Sequence, residues 1–331
     1  MLPPMTDLTE TARVVALPLR QKFRGITTRE ALVFRGPEGW SEFSPFLEYD
    51  DCEASLWLAA AIEFAFEPTP TALRDRIPVN ATLPAVSPDQ VATVLDAFPG
   101  CRTVKVKVAD IGQQLSDDVA RVAAVRAYLG PEGRIRIDAN ANWNVDEAEH
   151  AIHALAGFDL EYVEQPCASI DELAEIRERV KYMLIPIAAD ESVRRVTDPL
   201  DVARAGAADL LVLKAQPLGG IRASLAIATA AGLPVVVSSA LDTSIGLALG
   251  AHLAAALPTL EFDCGLGTAA LLAADVCRSP LLPVDGYIPV WRPNVDPELL
   301  HQNAVSPERT AWWLARLERC HELLAAEHGV N

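Results

Sequence analysis

The sequence predicts an α/β fold, a (β/α)7β barrel of the TIM type with an α+β capping domain formed by the N-terminal region and the C-terminal tail. Five short apolar runs in the middle of the chain each finish in an ionisable residue. The five residues are Lys107, Asp138, Glu164, Asp190 and Lys214, and consecutive members lie 24–31 residues apart. That interval fits one strand, one helix and two loops. Because barrel enzymes place their active sites at the carboxyl ends of the strands, we expect these charges to meet at one mouth.

The strands and helices of the barrel follow from the alternation of apolar runs and helical segments. Eight strands are predicted near 79–84, 103–108, 134–139, 160–164, 186–190, 210–214, 234–239 and 260–264. Helices such as 116–129 and 145–156 lie between them, and their starts often carry the Asp, Ser or Asn typical of N-caps. Eight strands close a barrel. No clean amphipathic helix follows the eighth strand, so the expected unit is (β/α)7β.

The two ends of the chain predict the capping domain. Residues 12–46 alternate with turn signals and predict an antiparallel meander, and residues 51–66 have helical spacing. A second helix is expected over 71–76. Further on, 281–290 predicts a hairpin, and 306–328 predicts a helix that returns to the meander. The expected division is 1–78 for the N-terminal part of the capping domain, 79–275 for the catalytic barrel and 276–331 for the returning tail.

Composition limits the classes of partner. The 331 residues carry a formal net charge of −17, which argues against nucleic acid and anionic membranes as partners. An anionic substrate therefore has to be held by local cations. The six cysteines form no C-x-x-C pair and no regular framework, which favours reduced thiols in a cytoplasmic protein. The most apolar long stretch, 233–260, contains Asp242, His252 and two prolines, and predicts a buried strand–helix–strand unit rather than a membrane span.

Two lysines share one face of the second predicted barrel strand. Lys105 and Lys107 are two residues apart, so both point to one side while Val104, Val106 and Val108 point to the other. Valines that face the outer helices place both lysines inside the barrel. Lys107 is nearer the mouth and is the better candidate for catalysis, and Lys105 is a candidate for substrate binding. The alternative is a lysine pair solvated on an edge strand.

Asp138, Glu164 and Asp190 end the third, fourth and fifth predicted strands, which are neighbours in a barrel. Three hard oxygen ligands that leave positions open for water and substrate suit Mg²⁺, with Mn²⁺ as a possible substitute. No Cys or His accompanies them, which disfavours Zn²⁺. The alternative for any single carboxylate is an ordinary salt bridge.

Lys214 ends the sixth predicted strand, across the mouth from Lys107. Two lysines beside a metal lower each other's pKa by repulsion, which suits a lysine that takes a proton near neutral pH. A metal with flanking lysines can remove a proton next to a carboxylate and stabilise the resulting enediolate. Lys107 and Lys214 are therefore the predicted catalytic residues, and the expected partner is a small-molecule carboxylate.

Later segments supply weaker candidates for substrate contacts. They are a Gly-Gly run after Lys214 and the polar loops after the seventh and eighth predicted strands, which can offer amide and hydroxyl donors to a carboxylate. Ordinary loops explain the same residues equally well. The candidates are Gly219, Ser238, Ser239, Gly265 and Leu266.

Five motifs resemble the enolase superfamily and its muconate-lactonising-enzyme subgroup. They are Lys-Val-Lys (105–107), Asp-Ala-Asn (138–140), Val-Glu-Gln-Pro (163–166), Asp-Glu-Ser (190–192) and Leu-Lys-Ala (213–215). A lysine base and Mg²⁺ are known features of that superfamily, so the resemblance implies them here. The second motif adds Asn140 to the substrate-binding candidates.

Within the subgroup, residues 23–27, 39–49 and 282–290 resemble the o-succinylbenzoate synthase family of the actinobacterial type. The resemblance implies dehydration of 2-succinyl-6-hydroxy-2,4-cyclohexadiene-1-carboxylate to 2-succinylbenzoate, a step of menaquinone biosynthesis. Lys107 would remove the proton beside the ring carboxylate and return it to the departing hydroxyl. Mg²⁺ on the three carboxylates would hold the enediolate, and Lys214 would stabilise it from the opposite face. The loops 23–27 and 42–48 are expected to close over the mouth.

Two other functions stay open at this point. N-acylamino acid racemisation or dipeptide epimerisation, in the same subgroup, needs a lysine on each face, and both lysines are present. A non-catalytic binding protein on a barrel scaffold is the alternative from another class. Five buried charges without a function would be a cost in stability, which argues against it.

Overall fold

An antiparallel meander opens the computed structural model, which describes residues 2–194, 198–327 and 329. Its strands pair in the order β1-β2-β3, and helix α2 packs across the sheet. The predicted meander and the helix over 51–66 are confirmed. Asp50 caps α2 by accepting a hydrogen bond from the backbone N–H of Glu53 at 2.8 Å. The elements are α1 (Met5–Thr9), β1 (Arg13–Phe23), β2 (Ile26–Gly36), β3 (Gly39–Phe43), α2 (Asp51–Phe66) and β4 (Arg76–Pro78).

The prediction of a helix over 71–76 is wrong. Leu73 donates its backbone N–H to the carbonyl of Ala255, and the Arg74 guanidinium bonds the carbonyls of Ala254 and Leu257. These contacts tie the segment to the end of a distant helix. Tertiary hydrogen bonds therefore replace the local i→i−4 bonds that a helix would need.

A curled parallel sheet follows, and each strand pairs with the next one along the chain. Its order of strands confirms the predicted α/β fold class. The strands are β5 (Ala81–Leu83), β6 (Thr103–Lys107), β7 (Arg134–Asp138), β8 (Leu160–Glu164), β9 (Ile187–Ala189), β10 (Leu210–Leu213) and β11 (Val235–Val237).

Helices and short 3₁₀ turns cover the outside of the sheet. Two helix starts carry reciprocal capping boxes, Asn144 with Glu147 and Ser169 with Glu172. The predicted helices 116–129 and 145–156 each differ from the observed ones by one residue at one end. The helices are α3 (Val91–Leu95), α4 (Leu115–Leu129), α5 (Val145–Leu155), α6 (Ile170–Val180), α7 (Glu191–Arg194), α8 (Asp201–Arg204), α9 (Ile221–Ala231) and α10 (Ser244–Ala256). The 3₁₀ turns are Pro88–Gln90, Ala156–Phe158, Lys181–Met183 and Thr268–Leu271.

Two residues close the barrel where a full eighth strand was predicted over 260–264. Cys264 bridges Val79 ahead of β5, and Gly265 bridges Ser238 after β11, both in parallel sense. The backbone N–H of Gly265 donates to the carbonyl of Val237 at 2.8 Å. The predicted position of the eighth strand is correct, but the predicted length is too great. Pro258, Asp263 and the exposed residues around them favour a loop.

The C-terminal elements return to the start of the chain. They are β12 (Tyr287–Pro289), α11 (Pro297–Gln302) and α12 (Pro307–Glu327). The predicted hairpin is reduced to one bridge between Val284 and Tyr287, and β12 pairs with β4 instead. The predicted helix over 306–328 is confirmed as far as Glu327, and His328 lies outside the described residues. Trp313 and Leu317 of α12 share a buried cluster with Trp57 of α2.

The two faces of the barrel strands have different surroundings. Val104 and Val106 join Val122 and Val125 of α4 in the outer core, which confirms that Lys105 and Lys107 face inward. A small apolar cluster built on Tyr162 and Ala188 fills the interior. Among the helices described, none has the length and hydropathy to cross a membrane.

Candidate active site

All five charged residues predicted at strand ends lie at the same mouth. Lys107, Asp138 and Glu164 are direct register partners across β6, β7 and β8. Asp190 follows β9 and Lys214 follows β10, one strand further in each case. Parallel strands bring their carboxyl ends to one edge, so residues far apart in sequence become neighbours.

The carboxylates and lysines form one buried ionic network. Lys105 Nζ lies 2.7 Å from Glu164 Oε1 and 3.0 Å from Asp138 Oδ2. Lys107 bonds the same Asp138 oxygen, and its Nζ lies 2.7 Å from the amide oxygen of Asn140. Lys214 pairs with Asp190 Oδ2. The three carboxylates are fully buried, so their charges need these partners.

Burial and the cations act in opposite directions on the acids. Burial alone would raise the pKa of Asp138, but Lys105 and Lys107 hold that pKa well below its usual value. Lys214 and Arg194 likewise lower the pKa of Asp190 against the effect of burial. For Glu164, the effects of burial and of the neighbouring Asp138 exceed that of Lys105, and its pKa rises to about 7. Burial lowers the pKa of Lys107, so its neutral amine forms at a lower pH than that of an exposed lysine.

The chemistry of the carboxylates fits a divalent cation. Glu164 Oε2 is buried, and no donor within the described ranges satisfies it. Over those same ranges, no three acidic, thiol or imidazole groups are arranged to hold a metal ion, and Lys105, Lys107 and Lys214 bond oxygens of these carboxylates. A Mg²⁺-sized ion would neutralise such a group, because it binds carboxylate oxygens that lack a hydrogen-bond donor. Asp138, Glu164 and Asp190 are the candidates for holding such an ion.

A pocket that is open to solvent lies above this network. The candidates Lys105, Lys107, Asn140 and Lys214 lie on its walls. Three of the weaker candidates also line it, namely Ser238, Ser239 and Gly265. Phe23, Arg24 and Phe46 of the capping region complete the wall, as expected for loops that close over the mouth.

Two predicted substrate contacts lie elsewhere. Gly219 has a left-handed φ of +83° and lies beside Leu56 of α2, away from the pocket walls described above. The side chain of Leu266 is buried in the outer core against Gly250 of α10. The Gly-Gly run after Lys214 packs against a helix of the capping region. The sequence alone did not show which way the side chain of Leu266 points.

The sequence analysis missed Arg194, which connects the site to the capping region. Its Nε lies 3.1 Å from Asp190 Oδ1, and its Nη2 lies 2.8 Å from Glu191 Oε1. Its Nη1 donates to the hydroxyl of Tyr49 at 2.9 Å. The i, i+4 spacing from Asp190 to Arg194 was a usable signal, since such pairs meet on a helical turn.

The sequence analysis also missed a buried pair of acids, Glu42 and Asp242. Glu42 of β3 accepts hydrogen bonds from the backbone N–H groups of Thr243 and Gly246, both at 3.1 Å, at the start of α10. Burial and nearby Asp242 raise the pKa of Glu42 to about 7. This contact joins the meander to the loop after β11, whose residues Ala240 and Leu241 line the pocket.

Three carboxylates between two lysines at the mouth of a capped barrel define an enzyme of the enolase class. The enolase C-terminal domain-like family model matches residues 89–294, and the enolase N-terminal domain-like model matches residues 14–65. The chain belongs to the enolase superfamily, whose enzymes depend on a divalent metal ion.

Curated relatives narrow the likeness further. The chain is 56% identical to the o-succinylbenzoate synthase of Thermobifida fusca, over 93% of this chain and 95% of the relative. It is 54% identical to the o-succinylbenzoate synthase of Mycobacterium leprae, over 98% and 95% respectively. The resemblance noted from the motifs is thereby confirmed.

Solved structures agree on the fold. A muconate lactonizing enzyme from Pseudomonas fluorescens, complexed with muconolactone, superposes with a TM-score of 0.76 at 23% identity, covering 89% of this chain and 98% of the other. The L-Ala-D/L-Glu epimerase from Bacillus subtilis superposes with a TM-score of 0.71 at 23% identity, covering 86% and 96%.

Proposed function

We propose that this chain dehydrates 2-succinyl-6-hydroxy-2,4-cyclohexadiene-1-carboxylate to 2-succinylbenzoate, and so acts as a carbon–oxygen lyase. The observation that carries the proposal is the placement of Lys107 and Lys214 on one pocket, with Asp138, Glu164 and Asp190 bonded to the lysines that line it, in a chain 52–56% identical to o-succinylbenzoate synthases. The substrate is a small carboxylate, as the sequence predicted.

Asp138, Glu164 and Asp190 would hold the divalent ion at the carboxyl ends of β7, β8 and β9. Mg²⁺ is the proposed ion, because three carboxylate ligands and a need for open positions suit a small hard cation, and Mn²⁺ can substitute. When bound, the ion supplies positive charge at the substrate carboxylate, which stabilises the negative charge that develops as the proton leaves.

Lys107 carries out the proton transfers in this scheme. Its free amine takes the proton from the ring carbon that bears the carboxylate, and the C–H electron pair forms the new ring double bond. The C–O bond at the neighbouring carbon breaks, and Lys107 returns the same proton to the departing hydroxyl as water. Nothing is oxidised or reduced, and the enzyme ends in its starting protonation state.

Lys214 lies on the opposite wall and supplies a second positive charge. Lys107 ends the second strand position of the barrel and Lys214 the sixth, with β7, β8 and β9 between them. In this proposal the substrate ring lies between the two ammonium groups, whose charges offset the repulsion expected from a net charge of −17. Ser238, Ser239 and Gly265 offer polar groups to the substrate from the next strand ends.

We also propose the division into 1–78, 79–275 and 276–331, which the packing of α12 on α2 and the pairing of β12 with β4 support. A cytoplasmic location is proposed because all six cysteines are free thiols, as a reducing compartment favours.

The direct test is turnover of the cyclohexadiene acid by the purified protein, followed by loss of its absorbance. We expect turnover that stops with EDTA and returns with Mg²⁺. Absence of turnover by folded, Mg²⁺-loaded protein would refute the proposal.

One observation favours a second candidate, racemisation of N-succinylamino acids. Lys107 and Lys214 reach the same pocket from opposite walls, so each face of a bound substrate meets an amine. Racemisation requires proton transfer on both faces. Incorporation of solvent deuterium into either enantiomer of an N-succinylamino acid would support this activity, and its absence at high enzyme concentration would exclude it.

A further inference from the structure

Asn140 is held between Lys107 and Glu191 in an unusual backbone conformation. Asn140 and Ala141 are consecutive non-glycine residues with left-handed φ angles of 46° and 65°. Such conformations cost energy and persist only where surrounding contacts enforce them. Here the backbone N–H of Asn140 donates to Asp138 Oδ1 at 3.0 Å, and that of Ala141 donates to the carbonyl of Gln165 at 2.8 Å.

The side chain of Asn140 has a determined orientation. Its Oδ1 accepts from Lys107 Nζ at 2.7 Å, and its Nδ2 donates to Glu191 Oε1 at 3.3 Å. A cation on one side and a carboxylate on the other permit one assignment of the amide, because the reverse would place like partial charges together.

Glu191 is itself anchored. Its Oε1 also pairs with Arg194 Nη2 at 2.8 Å, and Arg194 is held by Asp190 and Tyr49. The contacts therefore run from the capping region through Arg194, Glu191 and Asn140 to the amine of Lys107. Among the described residues, the other hydrogen-bond partner of that amine is Asp138, so Asp138 and Asn140 together fix the direction in which the amine points.

We propose that Asn140 and Glu191 are positioning residues that aim the amine of Lys107 at the reacting carbon, with Glu191 setting the orientation of the Asn140 amide. The proposal rests on the function of Lys107 proposed above. It adds to the expectation that Asn140 binds substrate, which stays a prediction. A misplaced base slows proton transfer without weakening substrate binding, so kcat changes and KM does not.

Exchanging the amide and the carboxylate between positions 140 and 191 tests the contact between these two side chains. In Asn140→Asp, one carboxylate oxygen still accepts from Lys107, but the other faces Glu191 as a like charge. We expect kcat to fall about 100-fold, within the range for loss of a positioned base, with KM within about threefold. In Glu191→Gln, Arg194 keeps Asp190 but loses the charge of Glu191, and we expect a fall of about tenfold in kcat.

The double variant Asn140→Asp/Glu191→Gln restores a donor facing an acceptor, because the amide introduced at position 191 can donate to the carboxylate introduced at position 140. It also keeps the net charge of the wild type. We expect it to regain at least about tenfold in kcat over Asn140→Asp alone, which is the signature of direct coupling. The primary isotope effect with substrate deuterated at the reacting carbon should rise in Asn140→Asp and fall again in the double variant.

Asn142→Asp is the matched control, since it adds the same charge to the same loop but its side chain bonds the carbonyl of Ala109. Its kcat should stay within about threefold of the wild type. The proposal would be overturned if kcat of the double variant fell by as much as the two single losses multiplied together. It would also be overturned if the losses appeared in KM rather than in kcat. Wild-type protein that does not turn over the cyclohexadiene acid would instead refute the proposed function, and with it the role of Lys107. Thermal melts establish that each variant is folded.

Discussion

Lys107 and Lys214 face each other across the pocket from strand positions on opposite sides of the barrel. β7, β8 and β9 lie between them on one side, and β11, Cys264–Gly265 and β5 lie between them on the other. The carboxylates occupy the strand ends on the first of these two sides, at β7, β8 and β9. A planar carboxylate substrate can therefore meet the metal ligands at its edge while a lysine lies over each face.

Lys107→Ala and Lys107→Arg are both expected to abolish dehydration. Arginine keeps the charge beside Asp138 but does not act as a base near neutral pH. Loss of a general base lowers kcat by at least about 10²–10⁴-fold. The affinity for Mn²⁺, measured by electron paramagnetic resonance, should change little. Lys181→Arg, at a surface pair with Glu178, is the control for the substitution. Turnover of Lys107→Arg within about tenfold of the wild type would show that Lys107 is not the base.

Glu164→Gln should weaken binding of Mg²⁺ and Mn²⁺ by at least about tenfold, because it keeps an oxygen and removes one of three ligand charges. The wild type treated with EDTA should recover with Mg²⁺ or Mn²⁺ and poorly with Ca²⁺. Glu161→Gln is a charge-matched control on the same strand, where the side chain pairs with Arg136 at the other end of β8. Equal metal affinity in Glu164→Gln and wild type, by calorimetry, would remove Glu164 from the ligand set.

Phe46→Ala should raise KM for the cyclohexadiene acid more than it lowers kcat. Phe46 lines the pocket from the capping region, and the guanidinium groups of Arg24 and Arg29 lie 4.7 and 4.4 Å from its ring centre. Contacts made equally in the ground and transition states change KM alone. The neighbouring Leu47 belongs to the same predicted lid loop but is 51% exposed, so Leu47→Ala should raise KM less than Phe46→Ala does. If both variants keep wild-type kinetics while folded, the loop does not hold the substrate.

Stability should fall as pH rises from 5 to 8, in part because of Glu42. Burial and Asp242 raise the pKa of Glu42 from 4.5 to about 7. The folded state thus favours the protonated acid, and this stabilisation is fully present below pH 4.5 and lost as pH rises through 7. The shift corresponds to roughly 3 kcal/mol. We expect the difference in unfolding free energy between wild type and Glu42→Gln, from urea titrations, to change by that amount across the window. The exposed substitution Glu10→Gln should show no such change, and a pH-independent difference for Glu42→Gln would contradict the raised pKa.

The barrel and the five charged strand ends were predictable because each depends on a short stretch of sequence. Alternation placed Lys105 and Lys107 on the inner face, and the repeat length implied that Asp138, Glu164 and Asp190 belong to neighbouring strands. Residues 71–76 show the limit of this reasoning. Their local pattern suits a helix, but the carbonyls at the end of α10 bind Leu73 and Arg74 and hold the segment in a non-helical conformation.

Which groups can do chemistry follows from local sequence, since strand periodicity and the side of a parallel sheet at which charges emerge are local properties. How those groups are aimed depends on tertiary packing. The bond from Lys107 to Asn140, the support of Asn140 by Glu191, and the link from Arg194 to Tyr49 join residues as much as 145 positions apart. Hydrogen bonds form only over about 3 Å and within a narrow range of angles, so such contacts require the whole barrel and its cap to be in place.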